Sequence, residues 1–103
     1  MRLVATVLLA GIILASAAAA RAQSAADLYK SKCQVCHGAD GKGDTAAGKK
    51  LGVKDFHAPE VTKMSDAELI EVTKNGKNKM PSYDKKLTED QMKELVKYIR
   101  TLK

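Results

Sequence analysis

Apolar residues follow three patterns along this chain. From Leu3 to Ala20 apolar and small residues run together behind the basic start Met1-Arg2, as in a secretory leader. Ala20 with Ala22, or Ala22 with Ser24, provides the small-residue pair of a processing site. The run is at the short edge of what spans a bilayer, so an uncleaved anchor is the alternative. Further on, Ala25, Tyr29, Cys33 and Cys36 recur at steps of four, four and three. That spacing predicts a helix from Ala25 to about Cys36, capped by Ser24 with Asp27 in the first turn. Gly38, Gly41 and Gly43 end it and open a long loop, in which Leu51, Val53 and Phe56 are scattered around at most one short helical turn.

Two later segments carry complete helix signals. In MSDAELIEVTKNG, Ser65 and Glu68 form a capping box and Asn75-Gly76 closes the helix. In LTEDQMKELVKYIRTLK, Thr88 and Gln91 form the box, and Met92, Leu95, Val96 and Ile99 line one side with Tyr98 at its margin. No alternating strand pattern or internal repeat follows the leader. The expectation is a signal peptide at 1–22, cleaved after Ala22 or Ser24, and one all-α domain at 23–103 exported to the periplasm.

Composition sharpens this picture. About 80 residues bury too little apolar surface to be comfortably stable unaided. Tyr29, Phe56, Tyr83 and Tyr98 are the only aromatics. A disulfide, metal or prosthetic group is therefore expected to complete the core. The formal charge of +6 falls by two when Arg2 and Arg21 leave with the leader. Lysine supplies almost all that remains, without the arginine forks and stacking aromatics of nucleic-acid binding.

The two cysteines of the chain stand in KSKCQVCHGADGKG, with His37 directly after the second. A thioredoxin-like dithiol would need a βαβ frame, which the sequence lacks. Zinc would need four ligands, and only His57 could join Cys33, Cys36 and His37. A Cys33–Cys36 disulfide would close a tiny loop and add little core. The order C-x-x-C-H is instead the attachment pattern of a c-type haem. Two thiols add across the two vinyl groups, and His37 is carried beneath the iron. The covalently held ring supplies the missing core.

For the second axial position the candidates are Met64, Met80, Met92 and His57. Met64 and Met92 each have a packing reason, beside Leu69 and Leu87 at the starts of the two capped helices. Met80 lies in the polar stretch KNGKNKMPSYDKK, and Pro81 holds it extended or turn-like. A lone sulfur there is best explained by its lone pair, so Met80 is the preferred ligand. His57, in DFHAPE, is the bis-histidine alternative, with a loop-bonding role as the simpler explanation.

With CQVCHGADGKGD, KMSDAEL and KMPSYDKKLTEDQMKELVKYIRTLK in place, the chain resembles a small monohaem class I c-type cytochrome of the short bacterial, cytochrome c6-like group. The resemblance implies N- and C-terminal helices crossing near a right angle over one covalent haem c, with long loops wrapping it. It places Ala25 where the family often has glycine, and Tyr29 opposite Leu95 and Tyr98. It also implies a proline in the loop after the motif whose carbonyl accepts a hydrogen bond from the proximal histidine. Ala46 stands where that proline is expected.

Ligation by His37 and Met80 would leave iron no open site, which implies a one-electron carrier and not an enzyme. Methionine ligation and exclusion of water by Leu51, Val53, Phe56 and Leu69 would raise the potential. Lys77, Lys79, Lys85 and Lys86, with Lys30 and Lys32, form a basic rim suited to acidic redox partners. A monomer is expected, with no nucleic acid, no small-molecule substrate, and membrane contact only through partners or an uncleaved N-terminus. The competing readings are a haem enzyme or gas sensor with a labile sixth ligand, a membrane-tethered electron-transfer subunit, and a zinc or disulfide module without haem.

Overall fold

The computed structural model describes residues 25–103. The expected leader, cleavage sites and Ser24 cap lie outside these residues. The described part is all-α: α1 (25–32), α2 (Gln34–His37), α3 (Ala46–Leu51), α4 (Pro59–Thr62), α5 (Asp66–Asn75) and α6 (Glu89–Ile99). Among the described residues no helix is long and apolar enough to cross a membrane.

The helix expected from Ala25 to Cys36 is interrupted at Cys33, yet its hydrogen-bond register continues. Cys33 N donates to Tyr29 O at 2.9 Å, and His37 N donates to Cys33 O at 3.0 Å. Gly38, at φ 82°, ends the segment.

The two late helices start where their capping boxes predict. Glu68 N donates to Ser65 Oγ at 3.1 Å, and Gln91 N donates to Thr88 Oγ1 at 3.2 Å. The reciprocal bonds run from Ser65 N to Glu68 Oε1 at 3.3 Å and from Thr88 N to Gln91 Oε1 at 2.8 Å. These side chains satisfy backbone donors that the first turn leaves without partners.

The loop between the cysteines and α5 holds more helix than expected. Thr45 caps α3 by accepting from Gly48 N at 2.8 Å. Pro59 occupies the first turn of α4, where its missing N–H costs nothing. Leu51 is 37% exposed. It closes the last turn of α3, whose inward contact with α2 is made by Gly48.

The core gathers Tyr29 of α1, Leu87, and Met92 and Leu95 of α6. Tyr29 and Met92 are each 1% exposed. Burial of a side chain of that size stabilises by roughly 1.5–3 kcal/mol. Leu87 and Met92 share this cluster, the pairing expected of a residue before the cap and one in the first turn of α6. Tyr29 and Tyr98 meet with ring centroids 5.2 Å apart and planes at 54°, joining the N- and C-terminal helices. The Tyr29 hydroxyl donates to Gly38 O at 2.5 Å, so the same residue anchors the end of the cysteine-bearing segment.

Candidate functional site

Cys33 and Cys36 are free thiols, both half-buried, at the two ends of one helical turn. Cys33 packs against the core cluster. Its thiol is pushed up to about 11, chiefly by burial, with Lys32 opposing and Cys36 adding to the rise. His37 follows directly. Burial holds its imidazole below the usual histidine range, which favours the neutral, ligating form.

The His37 ring stacks on Phe56, with centroids 4.6 Å apart and planes at 21°. Its Nδ1 is buried and makes no hydrogen bond among the described residues. The carbonyl expected to receive it, that of Ala46, does not do so. Ala46 is the first residue of α3, and a carbonyl at that position points along the helix axis into the helix's own ladder. Thr45 turns towards the same backbone by another route, donating through Oγ1 to Cys36 O at 3.0 Å.

Met80 sits half-buried in the tight turn after α5. Met80 N donates to Lys77 O at 2.9 Å, and Lys77 N donates to Met80 O at 3.2 Å. Asn78 takes a left-handed conformation, φ 54°, at the tip. Tyr83 ties this region to the cysteine segment, since its hydroxyl donates to Lys32 O at 3.1 Å. Its backbone N donates to Thr73 O at 3.1 Å. The thiols and His37 are thus brought together locally, and the Met80 segment is bonded to the residue preceding Cys33.

His57 is engaged elsewhere. Its Nδ1 lies 2.6 Å from Asp55 Oδ1 and its Nε2 lies 2.8 Å from Leu102 O. The loop-bonding role is the one observed, and it takes His57 out of a four-ligand zinc set. Among the described residues, no group of three or more His, Cys, Asp or Glu is arranged to hold a metal ion by itself.

Sequence reasoning missed the contact of Phe56 with His37. The signal available was a lone phenylalanine in a polar loop, but nothing local says which ring it meets.

The residues present fit a covalently held haem. Two unoxidised thiols stand at attachment spacing, and a half-buried imidazole, with a buried nitrogen that has no partner among the described residues, lies beside them. A family model described as cytochrome C oxidase, cbb3-type, subunit III matches residues 20–99. The chain belongs to this family of c-type cytochromes. It is 33% identical over 104 residues to "Cytochrome c6" of Gloeothece citriformis (strain PCC 7424), covering 95% of this chain and 91% of that one. It is 27% identical over 78 residues to "Cytochrome bc1 complex cytochrome c subunit" of Corynebacterium diphtheriae (strain ATCC 700971 / NCTC 13129 / Biotype gravis), covering 75% of this chain and 26% of that larger protein. Among solved structures, "KustC0563 c-type cytochrome" matches with TM-score 0.67 and 36% identity over 73% of this chain and 92% of that one. A tyrosine-to-phenylalanine mutant of the same protein matches with TM-score 0.69 and 34% identity, over 78% and 99%. The contact between first and last helices is that of a class I cytochrome c arrangement. The general role that comes with the family is that of a c-type cytochrome carrying electrons, not an enzyme.

Proposed function

We propose that this cytochrome is an exported one-electron shuttle with a single haem c joined to Cys33 and Cys36 and ligated by His37 and Met80. The observation that carries the reading is the half-buried His37, its pKa lowered by desolvation, beside two free, half-buried thiols. Bound there, haem iron supplies a one-electron couple between its ferric and ferrous states. The chain's residues do the rest. Cys33 and Cys36 would hold the ring, His37 and Met80 would ligate the iron, and the core around Tyr29 would keep water away. A soft sulfur ligand favours the reduced state. Ligation by both residues would leave no site open for a substrate, so the protein would exchange electrons alone.

Partner choice falls to surface charge. Lys77, Lys79, Lys85 and Lys86 are exposed around the Met80 turn, and Lys30 is exposed on α1. The Tyr83–Lys32 bond draws the two groups towards each other. This arrangement supports docking of acidic redox proteins by a monomer. Electron-transfer rates with an acidic partner are expected to fall as salt increases, and indifference to salt would remove the docking assignment. The leader at 1–22 supports a periplasmic location, which intact mass of the exported protein checks directly.

The test of ligation is the visible spectrum of protein expressed in the periplasm. A reduced low-spin spectrum unchanged by carbon monoxide is expected. The oxidised band near ~695 nm should vanish in Met80→Ala. Ready gas binding by the unmodified protein would replace the shuttle with a sensor or enzyme, and a colourless protein would remove haem altogether.

A further inference from the structure

Metal-bound histidines almost always donate their second ring N–H to a carbonyl, carboxylate or water, which fixes the ring and raises its basicity. Among the described residues His37 has no such tether, since its Nδ1 is buried without a partner there. What it has is a flat contact with Phe56, 21° from parallel.

Phe56 is itself firmly seated. Its N–H donates to Gly41 O at 2.9 Å. A Cβ on Gly41 would lie 2.7 Å from Phe56 Cδ2 and 3.5 Å from Phe56 Cβ, so the ring fits only above a residue without a side chain. On the other side, His57 pins the segment. It bonds Asp55 through Nδ1, and Leu102 O, beyond the end of α6, through Nε2. The aromatic face is thus supported from below by the loop after His37 and held from the C-terminus.

We propose that Phe56 is a positioning residue for His37, setting the plane of the imidazole by face contact where a hydrogen bond at Nδ1 would otherwise do so. The inference rests on His37 being the iron ligand. It implies an imidazole that is less basic than a tethered one and whose orientation depends on a flat neighbour.

The experiment uses haem-loaded protein, with attachment verified by intact mass. Haem methyl shifts in the oxidised protein's NMR spectrum report the plane of the axial histidine. Phe56→Leu keeps apolar bulk without a flat face and is expected to rearrange the methyl-shift pattern. Phe56→Tyr keeps the face and is expected to preserve it. A haem-loaded, low-spin Phe56→Leu protein with the native pattern would overturn the inference while leaving His37 as ligand. The unmodified reduced protein, labelled with ¹⁵N-histidine, gives an independent reading if Phe56→Leu does not fold. A His37 Nδ1 proton without the downfield shift of a hydrogen bond is expected, and a strongly downfield one would overturn the proposal. Unmodified protein that carries no haem would instead remove the ligand assignment itself.

Discussion

Gly48 is the point where α3 touches the cysteine-bearing segment, and Gly48→Ala tests how that contact is built. An alanine Cβ there would overlap the Cys36 carbonyl oxygen, and would lie 2.5 Å from Gly43 O and 2.9 Å from Thr45 Oγ1. None of these is the free end of a flexible side chain. Two are backbone, and Thr45 Oγ1 is held by its bonds to Gly48 N at 2.8 Å and Cys36 O at 3.0 Å. Relief requires α3 to move off α2. Overpacking of this kind costs about 1–3 kcal/mol, and backbone clashes belong at the upper end. Alanine's better helix propensity returns roughly 0.8–1.0 kcal/mol. The net expectation is a loss of about 2 kcal/mol, or a melting point lower by roughly 8 °C or more for a domain of this size. Gly52→Ala separates steric overlap from backbone strain, because Gly52 has φ 70° and nothing within 4 Å of a Cβ. Its cost should be only about 1 kcal/mol, from the left-handed conformation alone. Urea unfolding of both variants, with haem attached, compares them directly. A Gly48→Ala protein as stable as the parent would refute the packing argument.

Other perturbations have equally definite outcomes. Ser65→Ala and Thr88→Ala each remove a capping acceptor and should each cost about 1 kcal/mol in urea unfolding. Tyr83→Phe removes the bond to Lys32 O and should cost about 0.5–1.5 kcal/mol, together with faster amide exchange at Met80 and Lys77. The contact with Leu102 O, and then that with Asp55, raises the His57 pKa. Its contribution to stability is therefore fully present below the ordinary histidine pKa and is lost as pH rises through the raised folded value. Paired pH-dependent melts of the parent and His57→Asn should converge at alkaline pH, and a gap constant with pH would contradict the assignment. Arg100→Ala loses bonds to Asp66 Oδ1 and Met64 O, both 2.8 Å, yet should cost only about 0.2–1 kcal/mol because the pair is solvated.

The elements legible in the sequence were those whose signals are local. Ser65 with Glu68, and Thr88 with Gln91, determine helix starts because a side chain three residues on reaches the same orphan donors in any context. The cysteine motif is equally local, since its spacing alone sets where two thiols and an imidazole stand along one turn. The short helices α3 and α4 were much less visible. Too short to show a periodic face, they exist because Thr45 and Pro59 start them and because Gly48 lets α3 lie against the Cys36 carbonyl.

An all-α frame, two capped helices and the C-x-x-C-H motif follow from rules that act over three or four residues. The surroundings of His37 follow from how the chain packs. That packing directed the Ala46 carbonyl into a helix, laid Phe56 on the imidazole, and spent both nitrogens of His57 on Asp55 and Leu102. The contacts of His37 with Phe56 and of His57 with Leu102 join residues far apart in the chain, and their partners are chosen by how helices and loops fill a shared volume. No local pattern carries that information.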